Sequence, residues 1–416
     1  MDTGSTHNPL SDFNATAPAV AVRRLLVAKG LRAFGDGFVS LLLPAYLLEL
    51  GFSALQVGVI ATATLLGSGL LALLVGLHAW RWHYRSLLVA AAILMIATGA
   101  GFAVVTDFWP LLLIAVAGTL NPSSGDVSVF LPLEHAVLSR VVGDRDRTLV
   151  FARYSLTGAL LAALGSLAAG LPILFANEAG MPQGTAIQAM FVVYGVLGAV
   201  ALWVYRGLPS TISPAVREAH APLVESKRRV FGLAALFSLD AFGGGLVVQS
   251  MVALWLYQRF DLSLAAAGTI FFWTGVLTAF SYLVAVRIAK RIGLVNTMVF
   301  THLPANICLV LIPFVPDLSW VIALLFVRSA LSQMDVPTRS SYVMAIVSPA
   351  ERPAAAGITS VPRSLASAAS PLLAGWMLGV SSFGWPLVAA GGIKIVYDLL
   401  LLATFRKIRP VEEHEK

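Results

Sequence analysis

Residues 25–50 read LLVAKGLRAFGDGFVSLLLPAYLLEL, an apolar run interrupted by Lys29, Arg32 and Asp36. A hydrocarbon layer about 30 Å thick is crossed by about 20 residues of helix, because a backbone group in lipid must bond within its own segment. The run is long enough to cross. An ionisable side chain near the bilayer centre costs at least a few kcal/mol, so the charges inside this run must face a cavity or one another. Arg32 and Asp36 are four residues apart and share a helical face, with Lys29 a turn closer to the start of the chain.

Runs of the same length recur along the sequence. Eleven more lie at 54–77, 87–106, 109–138, 150–175, 187–205, 231–257, 265–288, 295–315, 320–347, 358–380 and 386–405. The chain is therefore read as an all-α membrane protein of twelve transmembrane helices. The fourth and tenth runs are over-long and carry Pro122 and Pro132, and Pro337, which predicts kinked or tilted helices.

Composition agrees. Of 416 residues, 58% are hydrophobic and 12% charged, where a soluble domain carries about 25% charged residues; the mean hydropathy is +0.84. The net charge of +7 comes from short basic clusters between apolar runs and not from one polar face, which excludes nucleic acid as a partner. A single cysteine, Cys308, excludes an intrachain disulfide and a multi-thiolate metal site. There is no phosphate loop, no metal-ligand spacing and no nucleophile elbow, so neither a cofactor nor a catalytic set is expected.

With the N-terminus placed in the cytoplasm, twenty Lys and Arg fall on that side and Arg259 alone on the other. This imbalance puts both termini in the cytoplasm. The first twenty residues lack a basic n-region, so the first span is expected to remain in the mature protein. Gly207 to Val230 is polar and carries Pro209, Pro214 and Pro222, the composition of a linker. The organisation read from this is a tail (1–24), a six-helix bundle (25–206), a linker (207–230), a second bundle (231–405) and a tail (406–416). A repeat supports the division: Leu31-Arg32-Ala33-Phe34-Gly35-Asp36-Gly37 matches Leu239-Asp240-Ala241-Phe242-Gly243-Gly244-Gly245 at an offset of 208, and Ser53, Gly58 and Arg153 recur as Ser263, Gly268 and Arg363 at an offset of 210.

The loop after the second run, Gly76-Leu77-His78-Ala79-Trp80-Arg81-Trp82-His83-Tyr84-Arg85, and its counterpart Ile288-Ala289-Lys290-Arg291-Ile292-Gly293 carry the remnants of a known motif. Together with twelve spans, a basic linker and the repeat, they resemble the major facilitator superfamily over essentially the whole chain. Gly76, Arg81 and Arg85 keep the family pattern, while Trp80 stands at its aspartate and His83 at its glycine; Arg291 and Gly293 are kept in the second copy, with Lys290 at the aspartate position. The resemblance implies two pseudo-symmetric six-helix bundles around a central cavity, alternating access by rocking of the halves, and a gating role for Arg81, Arg85 and Arg291. The same residues are also suited to anchoring helix ends at lipid headgroups. The fifth run lacks the glycine-proline element that antiporters of the family often carry.

The charges within the runs supply the site candidates. Asp240 lies about 13 Å into the seventh run, near mid-membrane. If the first and seventh helices pack as the resemblance suggests, Arg32 meets Asp240 and leaves Asp36 to take a proton; a carboxylate withdrawn from water can load and release one near neutral pH. A permanent Arg32–Asp36 pair is the alternative. Arg328, Asp335 and Arg339 share a face of the tenth run; Arg328 is suited to an anion, Asp335 and Arg339 to a gate, and headgroup contact by snorkelling is the favoured reading of Arg339. Asn121 and Asp126 belong to a polar patch suited either to freeing backbone groups for a ligand or to a kink satisfied by Ser and Asn side chains, while Glu134 and His135 are placed near the inner surface. Arg153 and Arg363 suit a basic ring at the cytoplasmic mouth or, equally, the anchoring of helix ends. Lys394 and Asp398, four apart, are expected to neutralise each other, and Phe271 and Trp273 to form an apolar cavity wall.

The sequence thus predicts a monomeric secondary active transporter of the cell membrane, coupled to protons or another ion and carrying a small polar or anionic solute. A proton-coupled efflux pump for lipophilic drugs and a non-transporting receptor or assembly protein with the same fold are the rivals. A membrane enzyme is disfavoured for want of a spaced catalytic set.

Overall fold

A computed structural model describes residues 9–78, 82–123, 128–209, 226–347 and 351–405. Apolar runs free of turn signals become helices, and all regular structure among these residues is helical. The first half comprises α1 (Pro9–Glu49), α2 (Ala54–His78), α3 (Tyr84–Val104), α4 (Phe108–Ala117), α5 (Phe130–Val141), α6 (Asp144–Ala168), α7 (Leu171–Ala179) and α8 (Gln183–Arg206). The second comprises α9 (Lys227–Leu246), α10 (Gln249–Phe260), α11 (Leu264–Ile292), α12 (Leu294–Leu311), α13 (Leu318–Leu331), α14 (Asp335–Ala345), α15 (Arg352–Val380) and α16 (Trp385–Phe405).

Nine stretches among the described residues are long and apolar enough to cross a membrane, and α4 and α13 are shorter apolar helices. Pairing α4 with α5 and α13 with α14, and adding α15, gives twelve passes. The fourth and tenth passes are broken where the sequence is over-long. In the fourth, Gly118 leaves the helix in extended geometry and Pro122 follows without an amide hydrogen to donate. α1 begins at Pro9, well ahead of Leu25, and α9 begins at Lys227, inside the stretch read as a linker; residues 210–225 lie outside the described residues.

One end of the molecule carries Arg85, Arg206 and Arg291 and is called the basic end; the opposite end carries the tight turns at Gly51 (φ 83°) and Gly384 (φ 105°), where only glycine adopts the backbone without strain. α1 packs on α6 and α8, and α3 on α8; α9 packs on α15 and α16, and α12 on α16. The halves are joined chiefly by α2 with α15 and α6 with α11, and also by α1 with α10.

These joints are tight toward the opposite end. A Cβ on Gly58 would stand 2.6 Å from the Pro371 carbonyl oxygen, and one on Gly375 2.5 Å from that of Ala54, so the α2 and α15 backbones touch with no room for a side chain. The Leu372 amide donates to Thr62 Oγ1 (2.8 Å), Tyr257 Oη to the Leu41 carbonyl (3.1 Å) and Gln249 Nε2 to Ser166 Oγ (3.3 Å). The break in the fourth pass is tied to the seventh pass, which is itself interrupted between α9 and α10: the Ser250 amide at the start of α10 donates to the Pro122 carbonyl at 3.0 Å. At the basic end the halves part. Ser360 to Leu365 of α15 are all exposed, whichever way they face, and so are Arg153 and Ser155 of α6. The molecule is closed at one end and open at the other.

Candidate functional site

Each half holds a buried cluster of charges. In the first, Arg32 on α1 is 4% exposed and forms a salt bridge with Glu134 on α5, which is wholly buried. The same carboxylate accepts hydrogen bonds from Tyr154 of α6 and from Tyr205 of α8, the latter at 2.7 Å. The Arg32 guanidinium lies 4.1 Å from the centre of the Phe130 ring, and the Lys29 ammonium 5.1 Å from that of Tyr154, cation–π distances. Asp36 is partly buried and within electrostatic reach of Arg32 and Tyr194. Tyr194 in turn donates to the Thr119 carbonyl at 3.0 Å, beside the α4 break.

In the second half, Asp240 on α9 is the hub. Its Oδ1 accepts from Lys394 of α16 at 2.6 Å and its Oδ2 from Arg339 of α14 at 3.0 Å. Arg339 also bridges to Asp335 one turn back and lies 5.2 Å from the Phe237 ring centre. His302 on α12 joins from another side: Nδ1 is 2.9 Å from Asp398 Oδ1, Nε2 is 3.9 Å from Asp240 Oδ1, and Asn306 donates to Asp398 Oδ2 at 2.9 Å. The two clusters stand at repeat-related places with the signs exchanged, Arg32 being matched by Asp240.

Several expectations are corrected by this geometry. Arg32 does not meet Asp240; each is satisfied within its own half. Glu134 is not at the inner surface, because the break resets the depth count: α5 starts at Phe130 and ends at Val141, which puts Glu134 about 10 Å from its end. Lys394 and Asp398 do not neutralise each other, since one turns to Asp240 and the other to His302. Arg339 is 7% exposed and ion-paired, so it does not snorkel to headgroups. Trp273 is about half exposed while Phe271 is buried, so the two form no common wall.

The remaining candidates are dispersed. Arg328, in the last turn of α13 just before the break at Ser332–Met334, has no hydrogen-bond or ion-pair partner among the described residues, and its Nε is buried and unsatisfied. Buried donors are also unspent on Arg32 (Nε) and Arg339 (Nε and Nη1). Asn121 is buried and its Oδ1 accepts from the amide and hydroxyl of Ser123 (3.1 and 2.6 Å), which ties up the broken backbone of the fourth pass. Arg85 lines a surface cavity of about 490 Å³ with His83, Ser86 and Arg206. Arg291, Arg153 and Arg363 are exposed; Arg363 is within electrostatic reach of Arg339, Asp240 and Asp335. Arg81 and Asp126 lie outside the described residues. His302 and Asn306 were missed from the sequence, although two polar residues at i and i+4 inside the ninth apolar run were the signal.

Two helical bundles joined at one end and parted at the other, with charges held in pairs inside each, make a membrane carrier. The profile of the Major Facilitator Superfamily matches residues 25–333 and 233–416, and the chain belongs to that family. It is a multi-pass membrane transporter for a small-molecule solute. It is 22% identical to a protein of Saccharomyces cerevisiae named "Uncharacterized membrane protein YJR124C", over 92% of this chain and 94% of that one. Among solved structures, the nucleoside transporter NupG superposes with a TM-score of 0.70 at 14% identity (93% of this chain, 99% of that one). A bacterial homologue of the human lysosomal transporter Spinster, in an inward-facing and occupied conformation, gives 0.74 at 15% identity (94% and 98%). The human organic anion transporter MFSD10 gives 0.64 at 19% identity (92% and 99%).

Proposed function

We propose that the protein is a proton-coupled secondary active transporter that carries a small polar or anionic solute by alternating access. It acts as a monomer in the cell membrane with both termini in the cytoplasm. The single observation that carries the solute class is Arg328. Arg328 is partly buried, and a buried Nε–H donor left without a partner is unfavourable unless an anion or a hydrogen-bond acceptor completes it; Arg32 and Arg339 hold further unspent donors for the same kind of group. The fold is used for nucleosides in NupG and for organic anions in MFSD10, so a polar or anionic passenger is within its reach. The seal at one end and the opening at the other support alternating access, with the gap at the basic end as the entrance in this state and Arg153 and Arg363 as its positive rim. Asp36 and Asp240 supply charge balance at the two clusters, and Asp335 and Arg339 link the half-helix α14 to α9.

The test is thermal stabilisation of the purified protein by a panel of organic anions, nucleosides, amino acids and hydrophobic drugs. A ligand at 100 times its Kd adds about 2.7 kcal/mol of stability. Stabilisation by one anionic or polar class, lost in Arg328→Ala, is the expected outcome. Stabilisation by hydrophobic drugs alone, unaffected by Arg328→Ala, would replace this reading with drug efflux, and a flat response across the panel would favour a non-transporting protein.

A further inference from the structure

The two clusters differ in how their charges add up. In the first half Arg32 and Lys29 stand against Glu134 and Asp36, two of each sign, and the balance closes without a titrating proton. In the second half three buried carboxylates, Asp240, Asp335 and Asp398, stand against two buried cations, Arg339 and Lys394, which leaves one negative charge without a buried cation while His302 is neutral; Arg363, within electrostatic reach of Asp240 and Asp335, is exposed. His302, Asp240, Asp335, Arg339, Lys394 and Asp398 are all buried, where an uncompensated charge is costly. A single proton closes the deficit, and the two groups able to accept it are in contact, His302 Nδ1 and Asp398 Oδ1 at 2.9 Å.

We propose that the His302–Asp398 pair, between α12 and α16, carries the coupling proton and that Asp240 reads whether it is present. The inference rests on the reading that transport is proton-coupled, and moves the proton from Asp36 and Asp240 to a pair on two helices that the first-half cluster does not touch. The step is an acid–base exchange with water: a hydronium on one side of the membrane gives its proton to the pair, forming one N–H or O–H bond, and water on the other side takes it away.

The surroundings supply a means of sensing. Asp240 Oδ1 is held by Lys394 at 2.6 Å, and His302 Nε2 stands 3.9 Å from the same oxygen. A protonated imidazole gives that oxygen a second cation and weakens its hold on Lys394; loss of the proton returns it to Lys394 alone. Because Asp240 also holds Arg339, the change is passed to α14, the half-helix that follows the break in the tenth pass. The other charged or titratable groups around the pair are Asp335 and Arg339 on α14, Arg363 on α15, and Tyr397 on α16, whose ring centre is 6.1 Å from that of His302. Arg363 is exposed to water, which screens its charge. Asn306 fixes the Asp398 carboxylate through Oδ2, leaving Oδ1 for the imidazole.

The test needs no identified solute. Spin labels at Ser155→Cys and Ser360→Cys, exposed on α6 and α15 at the open end, are introduced with Cys308→Ser into the full chain in lipid nanodiscs. Their distance distribution is measured at pH 5.5 and 8.5. The background is expected to show a several-fold change in the ratio of near to far populations between the two pH values, and His302→Gln and Asp398→Asn each to abolish it. A pH response that persists in both variants, or that vanishes only in Asp36→Asn, overturns this assignment and leaves proton coupling standing. Absence of any response in the background overturns both. Should the variants not fold, imidazole ¹⁵N spectra of the unsubstituted protein decide: the His302 resonances are expected to move between pH 5.5 and 8.5, and fixed resonances overturn the proposal.

Discussion

Replacing Glu134 by Gln tests whether the first-half cluster is organised around one buried carboxylate. The substitution keeps the size and shape of the side chain and removes its charge. Arg32, only 4% exposed and reaching no solvent that could replace its partner, is then left as an uncompensated cation, a change that costs about 3–5 kcal/mol in buried pairs. Two features place the loss near the lower bound. Asp36 remains within electrostatic reach of Arg32, and the amide of Gln can still bond the Tyr154 and Tyr205 hydroxyls. The expected loss is about 3 kcal/mol, roughly two decades in the unfolding equilibrium at 1.4 kcal/mol per decade. Reversible unfolding by denaturing detergent in mixed micelles, followed by tryptophan fluorescence, measures it. Adding Arg32→Met removes the stranded charge and is expected to restore at least half of the loss, because the cost lies in the unpaired buried cation and the Gln amide keeps the two tyrosine hydroxyls as partners. A loss below about 1 kcal/mol for Glu134→Gln, or no recovery in the double variant, refutes the reasoning.

Two further outcomes follow from the geometry. Gly375→Leu places a side chain against the Ala54 carbonyl, where a Cβ alone would come within 2.5 Å, so the α2–α15 seal cannot close; cysteines introduced at the opposite end should become reactive to a membrane-impermeant maleimide, and unchanged protection would count against the closed state described here. Lys394→Met takes one cation from the second cluster, which must then bind an additional proton in the folded state; its stability relative to the unsubstituted protein should fall as the pH rises from 5.5 to 8.5, and a pH-independent difference would show that the cluster does not titrate.

Much of the fold was legible because lipid imposes it. A backbone that must satisfy itself within one segment leaves apolar runs no alternative to helices, and the over-long fourth and tenth runs with their prolines announced the breaks at Gly118 and at Ser332. The site was legible only in part. Arg32, Asp240, Asp335 and Arg339 stand out in sequence because a charge in an apolar run is expensive, and all four are buried in ion pairs. What could not be read was who meets whom. Partner choice depends on the rotation of each helix about its axis, which packing decides, so Lys394 and Asp398, a natural pair by spacing, face Asp240 and His302. Glu134 was misplaced because counting 1.5 Å per residue assumes an unbroken helix, and His302 was missed because a neutral imidazole among apolar residues raises no alarm until Asp398 is found beside it.

The hydrogen bond from the Ser250 amide to the Pro122 carbonyl has a bearing on how such a protein can change over generations. The other ties across the closed end depend on particular side chains, a threonine hydroxyl or a glutamine amide, each of which one codon change can delete. The tie between the fourth and seventh passes is made by main chain alone, and at position 250 only proline would abolish it. Side chains around it are therefore free to drift, and with them the choice of passenger, while the gate keeps its fastening.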